Sequence, residues 1–503
     1  MNCDLLIENT DIVTMNPAMP TAKWIAVNDG KIAAVGAGDD RPDDVGERRS
    51  FPGSSVLPGF IDSHVHGSLT GNSLLSADIG EATDVEEIVN IIGEHCRNAN
   101  RRIVSATKYS AIQMKDRPLN AADLDRASKD HIIVVYDRSC HGCVLNSAAM
   151  REANLPPEMW LAQGDVGEGV ITDDTAYLTA INNIMMGVDE ETVKSYMLAV
   201  NELAVGNGVT CIHSLDGSDY IYDAQHWVKN RTMTDIHIVN YWETLDFEKL
   251  KPFDLPRIGG CICLDGSRVM HTMAVSTPYL DDPGNLGVLY YTDDEVYKFV
   301  STAHENDMQC AMHAMGDRAI AQLIGAIERV TKEQGHKNLR HRIEHFSMPT
   351  DRQIELAVEL NLTLAMQPAF TLEWDRGENS VYKQRFGKDG ASRNEPFARI
   401  IRAGGIICGG SDSPVTPLEP LSGIGACVDN PDPSRNISLT DALKMFTING
   451  AWAAHEENDR GSIEVGKAAD FVVLDHTWQD MTKSVGDLGV KETIIAGKTV
   501  FSR

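Results

Sequence analysis

The sequence predicts an α/β protein built on a (β/α)8 TIM-type barrel, and three observations lead there. Eight short, nearly unbroken apolar runs fall at 59–63, 208–213, 235–241, 260–265, 308–313, 341–345, 362–367 and 405–411. Longer stretches with helical apolar spacing, such as 293–305, 317–332, 351–360 and 394–403, lie between them. Buried parallel strands read as continuous apolar runs, and strand–helix alternation is how a parallel sheet is connected. Finally, imidazole and carboxylate side chains recur at the ends of these runs, where barrels of this type carry their chemistry.

Taken in order, residues 1–55 come first and alternate apolar with polar, in LLIENTDIVT and WIAVNDGKIAAVG. Asn28-Asp29-Gly30 between two such runs is a hairpin signal. The last segment, 455–503, has the same style in GSIEVGKAADFVVLD and VKETIIAGKTVF, with a turn at Ala496-Gly497-Lys498. Residues 1–55 plus 455–503 are therefore expected to pair into one small β domain, flanking a barrel over 56–454. The gap between the first run and the second is far longer than one helix needs. It holds its own strand-like runs, RRIVSATKY and HIIVVYD, and helical patterns near 84–99 and 189–205. Residues 68–190 are expected to form an α/β subdomain inserted after the first barrel strand, over the barrel mouth, where insertions shape a pocket.

Composition narrows the class. The chain has 503 residues and a formal charge of −28, from 73 acidic and 45 basic residues. The excess is spread along the chain, which argues against nucleic-acid or anionic-membrane partners, since both need a basic face. No apolar run approaches the roughly 20 residues that a membrane helix needs. The start, MNCDLLIENTDIV, lacks the basic and apolar regions of a signal peptide. Ten scattered cysteines, with Cys140 and Cys143 the only C-x-x-C, read as reduced thiols of a cytoplasmic protein. The expected partner is a small-molecule substrate. No sequence signal sets the oligomeric state, and a homodimer is carried as the default.

The chemistry-bearing residues come next. In SVLPGFIDSHVHG, His64 and His66 are two apart at a strand end, so both imidazoles face one side. His313 in CAMHAMGDRAI, His345 in RHRIEHFSMP and Asp412 in ICGGSDSPV each close a later run. Such a donor set suits a zinc-like ion with an open position for water, which makes the chain a candidate metal-dependent hydrolase. A carboxylate such as Asp412 can also take the proton of water and pass it to a leaving nitrogen. His345 can serve as a ligand or as a hydrogen-bonding group toward water or a carbonyl. His213 ends the second run and His271 follows the fourth, and both are candidates for lining the pocket. Asp317 and Glu344 are expected to hold the geometry of their histidine neighbours. No glycine cluster matches a phosphate-cradling loop, and Ser411 and Ser413 lack a nucleophile-elbow context.

With these residues in place, the chain resembles the amidohydrolase superfamily, and within it amidohydrolase family 3, the branch that includes N-substituted formamide deformylases. The motifs that carry the resemblance are LPGFIDSHVH, DGS with the following TPYLDDPGN, HAMGDRAI, RIEH, GGSDSPVTPLEP, LTDALKMFTINGAWA and GSIEVGKAADFVVLD. The resemblance spans essentially the whole chain. It implies a metal-bearing barrel, a flanking β-sandwich from both termini, and hydrolysis of a non-peptide C–N bond by metal-activated water. It implies one or two divalent ions held by His64, His66, His313, His345 and Asp412. Zinc suits this set, and manganese, iron or nickel can occupy it. His141, in RSCHGCVLNSAAM, matches a histidine that this branch places in the insertion, toward substrate oxygen.

There is one departure from the pattern. Where the branch often has a metal-bridging carbamylated lysine, four residues before the DG of the fourth strand, this chain has Cys261. A thiolate can ligate zinc, whereas a carbamate cannot form there. His271 falls near a position that the branch usually fills with arginine. Two further functions stay open from sequence. One is deamination of an amidine-like heterocycle with a single metal, separable by ammonia release. The other is an inactive barrel acting as a binding protein, whose mark would be missing ligands.

Overall fold

In the computed structural model, the described residues are 3–137, 142–162, 168–172, 174–216, 224–375, 377, 380–477, 480, 485 and 488–503. They form two compact units. One comprises the chain up to His66 with Asn201–Leu215 and Arg231–Arg503, and the other comprises Gly67–Val200 with Asp216–Asn230.

In the first unit, strands from both chain ends share one eight-stranded sheet. Phe471–Leu474 pairs antiparallel with Ser55–Pro58, which runs parallel to Cys3–Val13. Thr21–Asn28 and Lys31–Gly36 form a hairpin, as do Val490–Ile495 and Lys498–Ser502. Each hairpin turns on two residues with positive φ: Asp29 (48°) with Gly30 (70°), and Ala496 (48°) with Gly497 (75°). That conformation matches the twist of the flanking strands and explains the Asp-Gly and Ala-Gly pairs. A core of Leu5, Ile7, Ile25, Val56, Phe471 and Val473 holds the two chain ends together.

Each of the eight apolar runs is a strand; the first pairs parallel with the second, and the fourth to eighth pair parallel in turn. They are β1 (Phe60–Val65), β2 (Val209–Asp216), β3 (His237–Trp242), β4 (Arg257–Cys263), β5 (Gln309–Ala314), β6 (Arg342–His345), β7 (Thr363–Met366) and β8 (Ile407–Gly409). The ladder joins β1, β2 and β3 in one sheet, and β4 to β8 in another. After β8 the chain returns to β1: Asp412 N donates to His64 O at 2.8 Å and His66 N to Ser413 O at 3.0 Å. Glu243, just past β3, accepts from Cys261 N of β4 at 2.8 Å. Ile61, Cys211, Val239, Tyr241 and Ala311 from these strands share a core with Ala451 and Ala454. The intervening helices start where their capping residues dictate. Thr292 with Glu295 opens Asp293–Glu305, and Thr350 with Gln353 opens Asp351–Glu359, both as reciprocal capping boxes.

β4 differs from its neighbours. Its pairing with β5 slips between Gly259 and Cys263. Gly259 (φ 88°) and Gly260 (φ 133°) make this slip sterically accessible, because a Cβ at 259 would lie 2.1 Å from Ala311 O. The strand ends at Cys263, two residues before the end read from sequence.

The second unit carries a five-stranded sheet of Val170–Ile171, Cys143–Leu145, Ile132–Asp137, Ile103–Tyr109 and Ala77–Asp78. Helix Val85–Asn98 packs Ile88, Val89 and Ile92 onto it, with Asp84 as its N-cap. Among the described residues, no helix is long and apolar enough to cross a membrane.

Candidate metal centre

The C-terminal strand ends converge in the first unit. His64 lies in β1 and His66 just beyond it, and Asp412 follows β8 on a positive-φ turn (59°). Asp412 Oδ1 lies 3.2 Å from His64 Nε2 and 3.1 Å from His66 Nε2. The other ring nitrogens are committed elsewhere. His64 Nδ1 donates to Glu344 Oε2 at 2.6 Å, and His66 Nδ1 to Leu215 O at 3.0 Å. A carbonyl and an ionised carboxylate only accept, so each Nδ1 carries the proton and each Nε2 presents its lone pair.

Two lone pairs and a carboxylate oxygen thus face one point. His64 Nε2 and Asp412 Oδ1 are buried, and neither makes an aligned hydrogen bond. Such a cluster repels itself unless positive charge sits within it. A proton on Nε2 is one such charge, and the pKa shifts are those of the protonated pair. Burial presses the His64 pKa down, but Asp412 and Glu344 press it up harder, for a net rise. Burial would raise the Asp412 carboxyl, yet His64 and His66 outweigh it and hold it far below the usual range. Around a tetrahedral zinc, nitrogen and oxygen donors each about 2.0–2.1 Å away lie roughly 3.3 Å apart, so the observed spacing fits a small divalent cation.

His313 and His345, at the ends of β5 and β6, flank this cluster. The His345 ring centroid is 4.9 Å from that of His64 and 4.4 Å from that of His313. Its Nδ1 donates to Gln367 Oε1 at 2.7 Å, so Nε2 is the nitrogen turned to the centre, 3.5 Å from Cys261 Sγ. Burial, followed by the charges of His313 and His64, keeps its pKa well below the ordinary value. His313 Nδ1 is 3.6 Å from the same sulfur. Among the described residues, the metal-capable donor sets are His64–His345–Asp412, His64–His66–Cys261 and Cys261–Cys263–His313, each with ligand atoms within 4.8 Å of one another.

Cys263, two residues past Cys261, shares its face of β4 and pairs in register with His313, so both sulfurs and the imidazole lie in one cluster. The Cys263 thiol is pushed well below its ordinary pKa, chiefly by a hydrogen bond from Cys261 and then by the charge of His313.

A buried chain backs His64. Arg342 Nη2 donates to Glu344 Oε2 at 3.0 Å, and its Nε donates to Glu344 Oε1. Arg342 Nη1 faces His213 Nδ1 at 2.8 Å, and its guanidinium lies 4.8 Å from the Tyr241 ring centroid. His213 is fully buried there and is in none of the donor sets above. His271 bonds Asp281 at 3.1 Å and packs edge-on to Tyr279, in its own loop. Asp317 does not touch His313; it accepts from Ser276 N at 2.8 Å and ties down that loop. Asp265 takes the place expected of Asp317. It accepts from Ala274, Met315 and Gly316 backbone N–H groups at 2.8–2.9 Å and lies 3.4 Å from His313 Nε2. His141 lies outside the described residues.

Sequence reasoning missed Cys263, Asp265, Gln367 and Arg342. Asp265 and Gln367 follow strand ends, which was the available signal. Arg342 had none, since the role of a charged residue opening the strand Arg-Ile-Glu-His is legible only through its partners.

These features define a protein of the amidohydrolase family, to which the chain belongs: the family model matches residues 52–501. More particularly, it is 27% identical to the putative amidohydrolase YtcJ of Bacillus subtilis (strain 168), over 98% of both chains. It is 24% identical to the N-substituted formamide deformylase of Arthrobacter pascens, over 99% of this chain and 98% of that protein. Its fold is shared with an uncharacterized metal-dependent hydrolase of Pyrococcus furiosus: TM-score 0.80 at 23% identity, covering 94% of this chain and 99% of the other.

Proposed function

We propose that this protein is a metal-dependent amidohydrolase that hydrolyses a non-peptide C–N bond, in a linear or cyclic amide of a small molecule, at the C-terminal ends of a (β/α)8 barrel. The observation that carries this reading is the convergence of His64 Nε2, His66 Nε2 and Asp412 Oδ1, with both Nδ1 protons committed elsewhere. His64, His66, Asp412, His313 and His345 are the residues that would hold a divalent cation, with zinc the best match to the donors. When bound, that cation supplies Lewis acidity toward the carbonyl and acidifies water.

The chain's own residues do the rest. Asp412 is ionised and accepts the proton of the attacking water. It then returns that proton to the amide nitrogen, which leaves only once protonated. His345, neutral and fixed by Gln367, keeps its Nε2 turned to the centre. Glu344 holds the His64 tautomer that leaves Nε2 free of a proton.

The similarity to an N-substituted formamide deformylase makes N-substituted formamides the first substrates to assay. Asp412→Asn is expected to leave the protein folded and still binding metal, with turnover falling at least 100-fold, in the range typical of losing a general acid–base. Unchanged turnover would refute the role of Asp412.

A further inference from the structure

We propose that Cys261 and Cys263 together form the sulfur half of a second metal site, with His313 as its nitrogen ligand and Cys261 placed to bridge to the first. This inference rests on the metal-centre reading above and adds to it a ligand, Cys263, and a donor type.

Three observations carry it. The course of β4 is the first. Side chains two apart on a strand share a face, and the slip after the positive-φ pair Gly259-Gly260 sets where that face meets β5. Cys263 thereby sits in register opposite His313. Spacing is the second. For tetrahedral zinc with bonds of about 2.3 Å to sulfur and about 2.0 Å to nitrogen, sulfur and nitrogen donors lie roughly 3.5 Å apart. Cys261 Sγ is 3.6 Å from His313 Nδ1 and 3.5 Å from His345 Nε2. The third is shared membership. Cys261 belongs both to the set with His64 and His66 and to the set with Cys263 and His313, so one sulfur faces both positions.

The chemistry is consistent with the position. Two thiolates beside imidazole make a soft donor set that favours zinc or cadmium over magnesium or manganese. Binding releases the thiol protons to solvent as the S–metal bonds form, without any change in redox state. Two thiolates and the Asp412 carboxylate offset most of the charge of two dications, a role the branch otherwise gives to a carbamate.

The test uses the full chain, stripped of metal and reloaded with zinc alone. The readouts are metal stoichiometry and zinc-edge X-ray absorption, on wild type, Cys263→Ser, Cys263→Ala and Cys261→Ser. Circular dichroism confirms the fold, and Cys263 is exposed, so its variants are not expected to unfold. Wild type should hold two zinc ions, with a sulfur shell at about 2.3 Å. Either Cys263 variant should lower the sulfur per zinc from about 1.5 to about 1 and bind the second zinc at least ten-fold more weakly, while the first stays. A sulfur shell unchanged in both Cys263 variants would overturn the proposal. Zinc bound with no sulfur shell in wild type would also overturn it, while leaving the centre of His64, His66 and Asp412 intact. Wild type that binds no zinc would refute that underlying centre, and this proposal with it.

Discussion

Glu344→Gln tests how the buried chain behind His64 works. Glu344 accepts from His64 Nδ1 at 2.6 Å and from Arg342 at 3.0 Å, with no solvent exposure. An amide offers one oxygen and one NH2. If its oxygen serves Arg342, its NH2 faces His64 Nδ1 and forces the proton onto Nε2, the atom turned to the metal. If its oxygen serves His64, its NH2 meets the Arg342 guanidinium, donor against donor. Either arrangement weakens the centre. Removing the partner that sets a ligating histidine's tautomer typically costs about 10–100-fold in metal affinity, or roughly 1.4–2.7 kcal/mol. The metal-free protein should also lose about 3 kcal/mol, since the Arg342 charge stays buried without its carboxylate. Zinc affinity is read by competition with a chromophoric chelator, and apo stability by denaturant unfolding. Zinc affinity equal to wild type, alongside a destabilised apo protein, would refute the tautomer argument and leave the pair a packing feature.

Two further predictions concern the scaffold. His341 is buried, accepts from Cys310 N at 3.1 Å, and is pushed by burial, with help from His304, to a pKa of about 3. The unfolded chain binds this proton near pH 6.5 and the folded one does not, so stability falls as pH drops from 6.5 toward 3. At pH 4.5 the loss is roughly 2.7 kcal/mol, at about 1.4 kcal/mol per pH unit. His341→Asn, whose Oδ1 can accept from Cys310 without titrating, should flatten that part of the pH–stability curve. An unchanged slope would show that another group sets it. Gly259→Ala places a Cβ 2.1 Å from Ala311 O at φ 88°. It should cost at least 2 kcal/mol or so and lower Tm by several degrees. A Tm within about 2 °C of wild type would mean that the slip in β4 does not depend on glycine.

The strand runs were legible because buried parallel strands carry a plain apolar signature, and a residue at a run's end is automatically at one face of the molecule. That is why His64, His66, His313, His345 and Asp412 could be named without a structure. What escaped was set by backbone irregularity and by partners distant in sequence. Period-two spacing puts Cys263 on the face of Cys261, but its register opposite His313 follows a slip beside Gly259 and Gly260 that no apolar pattern shows. His213 was read as a strand-end group, yet β2 continues to Asp216, which leaves it inside, against Arg342. Asp317 was assigned by adjacency to the HAMGD motif, whereas the carboxylate near His313 is Asp265, 48 positions upstream of it. Sequence proximity to a ligand is a weak guide when ligands hang from strand ends, because the support comes from the neighbouring loops.

The central claim is that a divalent cation sits among His64, His66 and Asp412 and that hydrolysis depends on it. The most direct measurement is metal content per chain of protein purified without chelator, paired with formamide hydrolysis before chelation, after it, and after zinc is restored. The account predicts at least one tightly held ion in wild type, activity lost on its removal and regained with zinc, and metal much reduced in a His64→Ala, His66→Ala double variant. Full hydrolysis by metal-free protein, or wild-type metal content in the double variant, would contradict it.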